Sequence, residues 1–367
     1  MVAIRLDRGC VADVNVVSTR RPGLCRVLEG MPVEAVPSRV SLLFRVCSAA
    51  QEHAARTACE QISGLPPASE EQTRRQARVI LETFREHAWA ACVEWPRHLG
   101  MAPDVGAFAR IRSALQAIDE GLTSWPDKRL EDEKLRVLSQ AVDRALALGG
   151  GAWEGIGALH SWGMLGICPA ARFLRKIWDE DLAEFGRCLL RPVPDMMAWD
   201  LEGALAADVD NSFVSRPEWE GEACETGPLV RMSSHPLVAE LWQRYGNGLL
   251  TRLVARLVEL VGLSDRLGQL LNGLSSNSAS LGVEGSRVGL GLVEAARGRL
   301  AHRAEVEGDR VSRYQILAPT EWNFHPHGPL WRGLVGKPAD NADIFQRQVG
   351  FMVLALDPCV PFTVQVT

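Results

Sequence analysis

The 367-residue chain lacks any run of about 18 consecutive apolar residues, the length a membrane-spanning helix needs. Its opening, MVAIRLDRGCVADVNVV, has no charged segment followed by an apolar one, so neither a membrane span nor a secretory leader is predicted. Nine cysteines stand at positions 10, 25, 47, 59, 92, 168, 188, 224 and 359. No two are spaced as a zinc ribbon or a disulfide framework requires, which predicts a reduced, soluble, cytoplasmic protein. A large excess of charge of one sign is absent too. A net charge of −5 leaves no basic surface for nucleic acid or an anionic membrane, so small molecules and proteins remain as partners. Linkers rich in Pro, Gly or Ser, charge blocks, internal repeats and low-complexity tracts are all absent. The expectation is one domain spanning residues 1–367, with GLPPASEEQTRR (64–75) as its most exposed loop.

Common catalytic signatures are missing as well. There is no Walker loop, no G-x-S-x-G elbow and no H-E-x-x-H. The glycine-rich stretch GVEGSRVGLGLVEAARGRL (282–300) misses the G-x-G-x-x-G register and is predicted to be a turn feeding a helix.

What is present is a hydrophobic fraction of 47%, enough for a sizeable core. IRLDRGCVADVNVV (4–17) and SRYQIL (312–317) carry β-branched residues in partial alternation and predict strands. QVGFMVLAL (348–356) is a nearly continuous apolar run and predicts a buried strand. In the interior, TRLVARLVELVGLSDRLGQLL (251–271) sets Leu253, Val254, Leu257, Leu260 and Val261 at helical spacing, and residues 72–94, 131–148 and 170–190 read the same way. The predicted class is α+β, a helical-bundle middle with β-strands near both termini that meet.

Close to its end the chain reads ALDPCVPFTVQV (355–366), which sets Cys359 in a stretch apolar enough to be buried; core packing is the simplest reading of such a cysteine. Four further segments stand with it: FRVCSAAQEHAARTACE (44–60), ETGPLVR (225–231), GLVEAARGRLAH (291–302) and YQILAPTEWNFHPHGPL (314–330). In this order, over nearly the whole chain, they resemble the large subunit of nickel–iron hydrogenases. There an Arg-x-Cys-Gly-x-Cys motif and a C-terminal Asp-Pro-Cys-x-x-Cys-x-x-His motif hold the metals, each giving one terminal and one bridging thiolate. Arg45 and Cys47 match the first motif, but Ser48 replaces its glycine and Ala50 its second cysteine. Asp357, Pro358 and Cys359 match the last, but Phe362 replaces its second cysteine and Gln365 its histidine. Both terminal thiolates remain and both bridging ones are lost. His53 falls one residue short of the family's histidine and takes no role from it. A shorter chain with these losses is similar to the hydrogenase expression/formation proteins of the HupK/HoxV type, degenerate large-subunit relatives that serve as scaffolds while the iron fragment is assembled.

The resemblance implies a site. EAARG keeps Glu294, Arg297 and Gly298 of the family's E-A-P-R-G, with Ala296 for proline. There the arginine donates to a cyanide ligand, a task that suits a planar guanidinium fork. Thr320 falls where a serine or threonine bonds the other cyanide, Pro319 beside it belongs to the same stretch, and Ile316 matches an apolar position next to the carbonyl. Ordinary strand packing is the alternative for Thr320 and Ile316. RRPGLCRVLEG (20–30) resembles an Arg-Gly-x-Glu stretch whose glutamate moves protons, with Cys25 in the acid's place; Cys25 is either a third thiol near the iron or a buried side chain.

Two soft thiolates suit an iron that already carries three diatomic ligands, whereas nickel(II) in a tetragonal site wants about four ligands of this kind. The implied cargo is iron carrying cyanide and carbon monoxide, held transiently, with no nickel. The implied role is a non-enzymatic carrier between the maturation chaperones that assemble the iron fragment and the hydrogenase large-subunit precursor. A redox enzyme with an altered metal site, and a structural mimic without metal, are the other two readings.

Overall fold

The computed structural model describes every residue except 18–23, 66, 126–131, 150–152, 195–197 and 274–285. Strands β1 (Val2–Asp7) and β2 (Cys10–Val16) form a hairpin whose turn residues, Arg8 and Gly9, both have positive φ, the geometry that suits a two-residue turn. The helical middle is built around one long helix. It follows helices α1 (Val36–Leu43), α2 (Ser48–Ser63) and α3 (Ser69–Trp89) in sequence, and runs as α4 from Leu249 to Leu271. From Leu249 through Leu260 every α4 residue is buried, so its polar members must find partners inside the protein. Against it pack α3 and the helix Asp132–Leu146.

Three strands, β3 (Val288–Ala295), β4 (Gly298–Glu307) and β5 (Arg310–Leu317), make an antiparallel sheet in that order. Its back rests on α2. Here the expectation of a turn feeding a helix is corrected: the described part of 282–300 is a β-hairpin, and residues 282–285 lie outside the described residues. The glycines are not breakers. A Cβ on Gly289 would run into the Ala58 carbonyl and one on Gly291 into that of Ala54, so they let the sheet lie directly on the alanine face of α2.

The short helix α5 (Pro319–Asn323) follows, then α6 (Ala342–Leu356) and the closing strand β6 (Val364–Val366). The apolar run 348–356 belongs to α6, not to a buried strand. Phe351 and Leu354 pack into the α4 cluster, while Val349, Met352, Val353 and Leu356 pack into the cluster around β1. A helix buried on two sides shows no polar face, and its apolar run then looks like a central strand. Its start is set by Asn341, whose side chain accepts from the Ile344 amide at 3.0 Å.

Two smaller expectations also change. The helix expected over 170–190 spans Pro169–Asp179, because Asp181 takes a left-handed conformation and ends it. Of the expected loop 64–75, residues from Ser69 onward already belong to α3, whose first turn carries Glu70 and Glu71 at the positive end of the helix dipole. The remaining predicted elements lie where expected. The termini do meet: β6 pairs in parallel with β1, Val2 opposite Val364 and Ile4 opposite Val366. Among the described residues no helix is long and apolar enough to cross a membrane.

Candidate metal-fragment site

Cys47 is the residue on which α2 starts. The helix is capped from outside, since the Glu82 carboxylate of α3 accepts from the Ala49 and Ala50 amides at 2.8 and 3.1 Å. Burial raises the Glu82 carboxyl to about 7. Burial likewise pushes the Cys47 thiol up to about 11, with the nearby Glu82 carboxyl adding to the shift, while Gln51, donating from Nε2 to Sγ at 3.6 Å, works against it.

Cys359 arrives from the other end of the chain. Asp357 stands at the C-cap of α6 with φ 57, and Pro358 prevents another turn, so the sequence Asp-Pro-Cys ends the helix and delivers the thiol just beyond it. The Asp357 carboxylate meets two cations, Arg256 of α4 and Arg297, whose Nε lies 3.3 Å away.

Arg297 sits in the β3–β4 turn, and several contacts hold that turn. Gly298 has φ 128, and a Cβ there would strike the Thr226 side chain, which explains the Arg-Gly pair. Arg231 donates to the carbonyls of Ala295 and Ala296 at 3.1 and 2.9 Å and makes a two-pronged pair with Glu259 at 2.6 and 2.8 Å. Asn323 of α5 donates to the Arg297 carbonyl at 3.3 Å. The guanidinium itself donates from Nη2 to Glu86 at 3.1 Å. Burial opposes its charge, but Asp357, Glu86 and the thiols of Cys359 and Cys47 hold its pKa above the ordinary arginine value.

These elements enclose one cavity of about 290 Å³. Cys47, Cys359, Arg297, Thr320 and Pro319 all line it, together with Gln51. The Nη1 atom of Arg297 is buried without a hydrogen-bond partner, a donor waiting for an acceptor. Ile316 is a correction: it does not line the cavity. Strand alternation turns it, with Tyr314, toward the core formed with the α2 alanines. Cys25 also packs at the edge of that core and is not part of the lining. His53 is buried nearer Arg75 and Glu71 of α3, and burial lowers it to about 4.

The positions of the lost thiolates are equally clear. Ala50 is wholly buried against the sheet, and the Phe362 ring stacks on His98 with centroids 5.5 Å apart. Neither lines the cavity. Among the described residues no group of three or more His, Cys, Asp or Glu side chains could hold a metal ion. The candidate donor set is therefore the two thiols, with the guanidinium groups of Arg297 and Arg45, the Gln51 amide and the Thr320 hydroxyl beside them in the lining.

Comparison with known proteins settles the family. The hydrogenase expression/formation protein HoxV of Cupriavidus necator is 31% identical, over 95% of this chain and 92% of its own length. The chain belongs to the HupK/HoxV family of hydrogenase expression/formation proteins. HupK of Rhizobium leguminosarum is 29% identical over the full chain and 95% of its own length. Residues 187–364 match the family described as nickel-dependent hydrogenase. Among solved structures, the reduced Ni-Fe-Se hydrogenase of D. vulgaris Hildenborough superposes with a TM-score of 0.65 at 16% identity, covering 96% of this chain and 94% of that one. The reduced Ni-Fe-Se enzyme of Desulfomicrobium baculatum gives 0.65 at 14% identity. At such identities the likeness concerns the fold, which in this family member is the α+β fold of the nickel–iron hydrogenase large subunit.

Sequence reasoning named the two cysteines, Arg297, Thr320 and Pro319. It missed Gln51, Glu82, Glu86 and the support that Arg231 gives. Arg231 and Gln51 had a signal, the segments ETGPLVR and FRVCSAAQEHAARTACE, which were singled out as wholes without a role for the arginine or the glutamine.

Proposed function

We propose that this chain is a maturation scaffold: it holds an iron fragment with cyanide and carbonyl ligands in the cavity between Cys47 and Cys359 and passes it to the nickel–iron hydrogenase large-subunit precursor. The observation that carries the reading is that two thiols and Arg297 line one cavity, and that this arginine keeps a buried nitrogen, Nη1, without a hydrogen-bond partner. Soft thiolates suit a low-spin iron, and a cyanide nitrogen is the kind of acceptor that Arg297 Nη1 lacks. The Thr320 hydroxyl can serve a second cyanide. Carbon monoxide wants no donor, and the Ala318 and Pro319 side chains offer none.

The names of the relatives, expression/formation proteins, agree with an accessory role and with partners in the maturation machinery. In this reading the chaperones that assemble the iron fragment load the cavity, in the cytoplasm, before nickel enters the precursor. Two thiols cannot hold iron and also complete a nickel site.

Protein purified anaerobically from cells making hydrogenase tests the reading by elemental analysis and infrared spectroscopy. Substoichiometric iron, no nickel and stretching bands of metal-bound cyanide and carbonyl are expected. Stoichiometric nickel, or oxidation of hydrogen with a dye acceptor by the purified protein, would replace this reading with the redox enzyme.

A further inference from the structure

Behind Cys47 runs a chain of buried polar groups that the donor set does not require. The Gln51 Oε1 atom lies 2.9 Å from His302 Nε2, and His302 Nδ1 lies 2.8 Å from the Tyr314 hydroxyl. All three side chains are buried: Gln51 is 2% exposed, His302 0% and Tyr314 3%. They come from three elements, α2, β4 and β5, so the tertiary packing alone brings them into line.

A sulfur bonded to a metal can only accept a hydrogen bond. Gln51 Nε2–H must then donate to Cys47 Sγ, as its 3.6 Å separation allows, which turns Oε1 toward His302. Oε1 accepts, so His302 carries its proton on Nε2. Its Nδ1 is left as an acceptor for the Tyr314 hydroxyl. One orientation of amide and imidazole satisfies all three bonds, and each donor in it points toward the sulfur.

We infer that Gln51, oriented by His302 and Tyr314, is a positioning residue that withdraws charge from the Cys47 thiolate and so loosens its bond to the cargo. This rests on the proposed role of Cys47 as an iron ligand. Hydrogen bonds to a ligating atom tune how strongly it donates, and bonds along such a chain polarise one another. A carrier gains from this, because a sulfur that gives less charge to the metal lets the fragment go sooner. It also explains why a buried histidine–tyrosine pair sits behind a site in which neither residue touches the cavity.

The test is infrared spectroscopy and release kinetics on cargo-loaded protein. Gln51→Met keeps length and shape but removes the donor. Its carbonyl band should move to lower wavenumber, because a richer sulfur feeds more charge through iron into the ligand. Transfer of the fragment to excess free thiol should slow by about tenfold, the lower end of what a ligand's outer partner is worth. Tyr314→Phe removes only the far hydroxyl and should move both readouts the same way by less. If Gln51→Met does not fold by circular dichroism, Tyr314→Phe decides alone. Unchanged bands and release, or shifts of the opposite sign, overturn the inference. Cys47→Ala separates the two levels: if that variant keeps the parental bands, the iron-ligand reading has failed, whereas loss of the bands there with parental behaviour in Gln51→Met overturns only the role of Gln51.

Discussion

The two walls of the cavity are built on opposite principles. On the Cys47 side the groups that position the thiol are mostly neutral: an alanine-faced helix lies flat on glycines of β3, and the thiol is held by an amide with an imidazole and a phenol behind it. On the Cys359 side the positioning is ionic. Asp357 stands between Arg256 and Arg297, Arg297 reaches Glu86, and the turn carrying Arg297 is pinned by Arg231 on Glu259. Among the described residues Cys359 Sγ has no hydrogen-bond partner, and its neighbour Val360 is 51% exposed. The neutral wall fixes a sulfur and tunes it. The ionic wall supplies a cation and leaves its sulfur without a hydrogen-bonded side chain behind it, because fixed charges hold a guanidinium firmly while a thiol at a helix end needs only to be delivered.

The hardest way to break this comparison is to remove either sulfur. Cys47→Ala and Cys359→Ala should each abolish iron retention by elemental analysis with far-ultraviolet circular dichroism little changed, since one thiolate leaves a single anchoring bond. Full iron in either variant would make that cysteine ordinary packing.

The ionic wall should be the more fragile in folding. Arg231→Leu leaves Glu259 buried at 2% exposure, and breaking a buried pair costs about 3–5 kcal/mol. The lower end, about 3 kcal/mol by denaturant titration, is expected because His87 remains 2.9 Å from the same carboxylate. A loss below about 1 kcal/mol, the size of an exposed ion pair, would remove the distinction between the walls.

The neutral wall hides one carboxyl, Glu82. Its carboxyl ionises near 4.5 in the unfolded chain and near 7 in the folded one. Below pH 4.5 both states are protonated. Between 4.5 and 7 the unfolded state ionises first, so folding takes up a proton and stability falls as pH rises, by about 3 kcal/mol at 1.36 kcal/mol per unit. Glu82→Gln keeps an acceptor for the α2 amides and should lack this decline when stability is measured across pH 4.5 to 8. The same slope in both proteins would rule Glu82 out as its source.

The finest test sharpens the role of the cation. Arg297→Lys keeps charge beside Asp357 but loses the planar fork, so the cyanide bands should shift more than the carbonyl band, with weaker retention than the parent and stronger than in Arg297→Ala. Identical spectra in all three proteins would take Arg297 out of the site.

Legibility followed the same division. The long helix α4 could be read from its spacing because its apolar residues recur at the helical period. Strand β5 could be read from its β-branched residues. Helix α6 could not, because burial on two faces erases the polar stripe that marks a helix. The β3–β4 hairpin was misread because Gly289 and Gly291 serve close approach to α2, a demand made by another part of the chain. At the site, Cys47, Cys359, Arg297, Thr320 and Pro319 stood in short recognisable segments, and the cavity brings these five together. Ile316 stood in such a segment too, yet strand alternation turned it away.

By itself the sequence determined the chemical inventory: two thiols kept and two lost, an arginine before a glycine, a chain without pairable cysteines or a catalytic signature. It also determined where local rules act alone, as at Asp-Pro-Cys, where a left-handed cap and a proline end α6 before Cys359. Only the tertiary structure decided that residues 312 positions apart in sequence, Cys47 and Cys359, line one cavity with Arg297, that this arginine keeps a buried nitrogen without a partner, and that Gln51 stands between a sulfur and a histidine. Identity and spacing act along the chain, whereas burial, unmet hydrogen bonds and the field of neighbouring charges exist only once distant segments exclude water together.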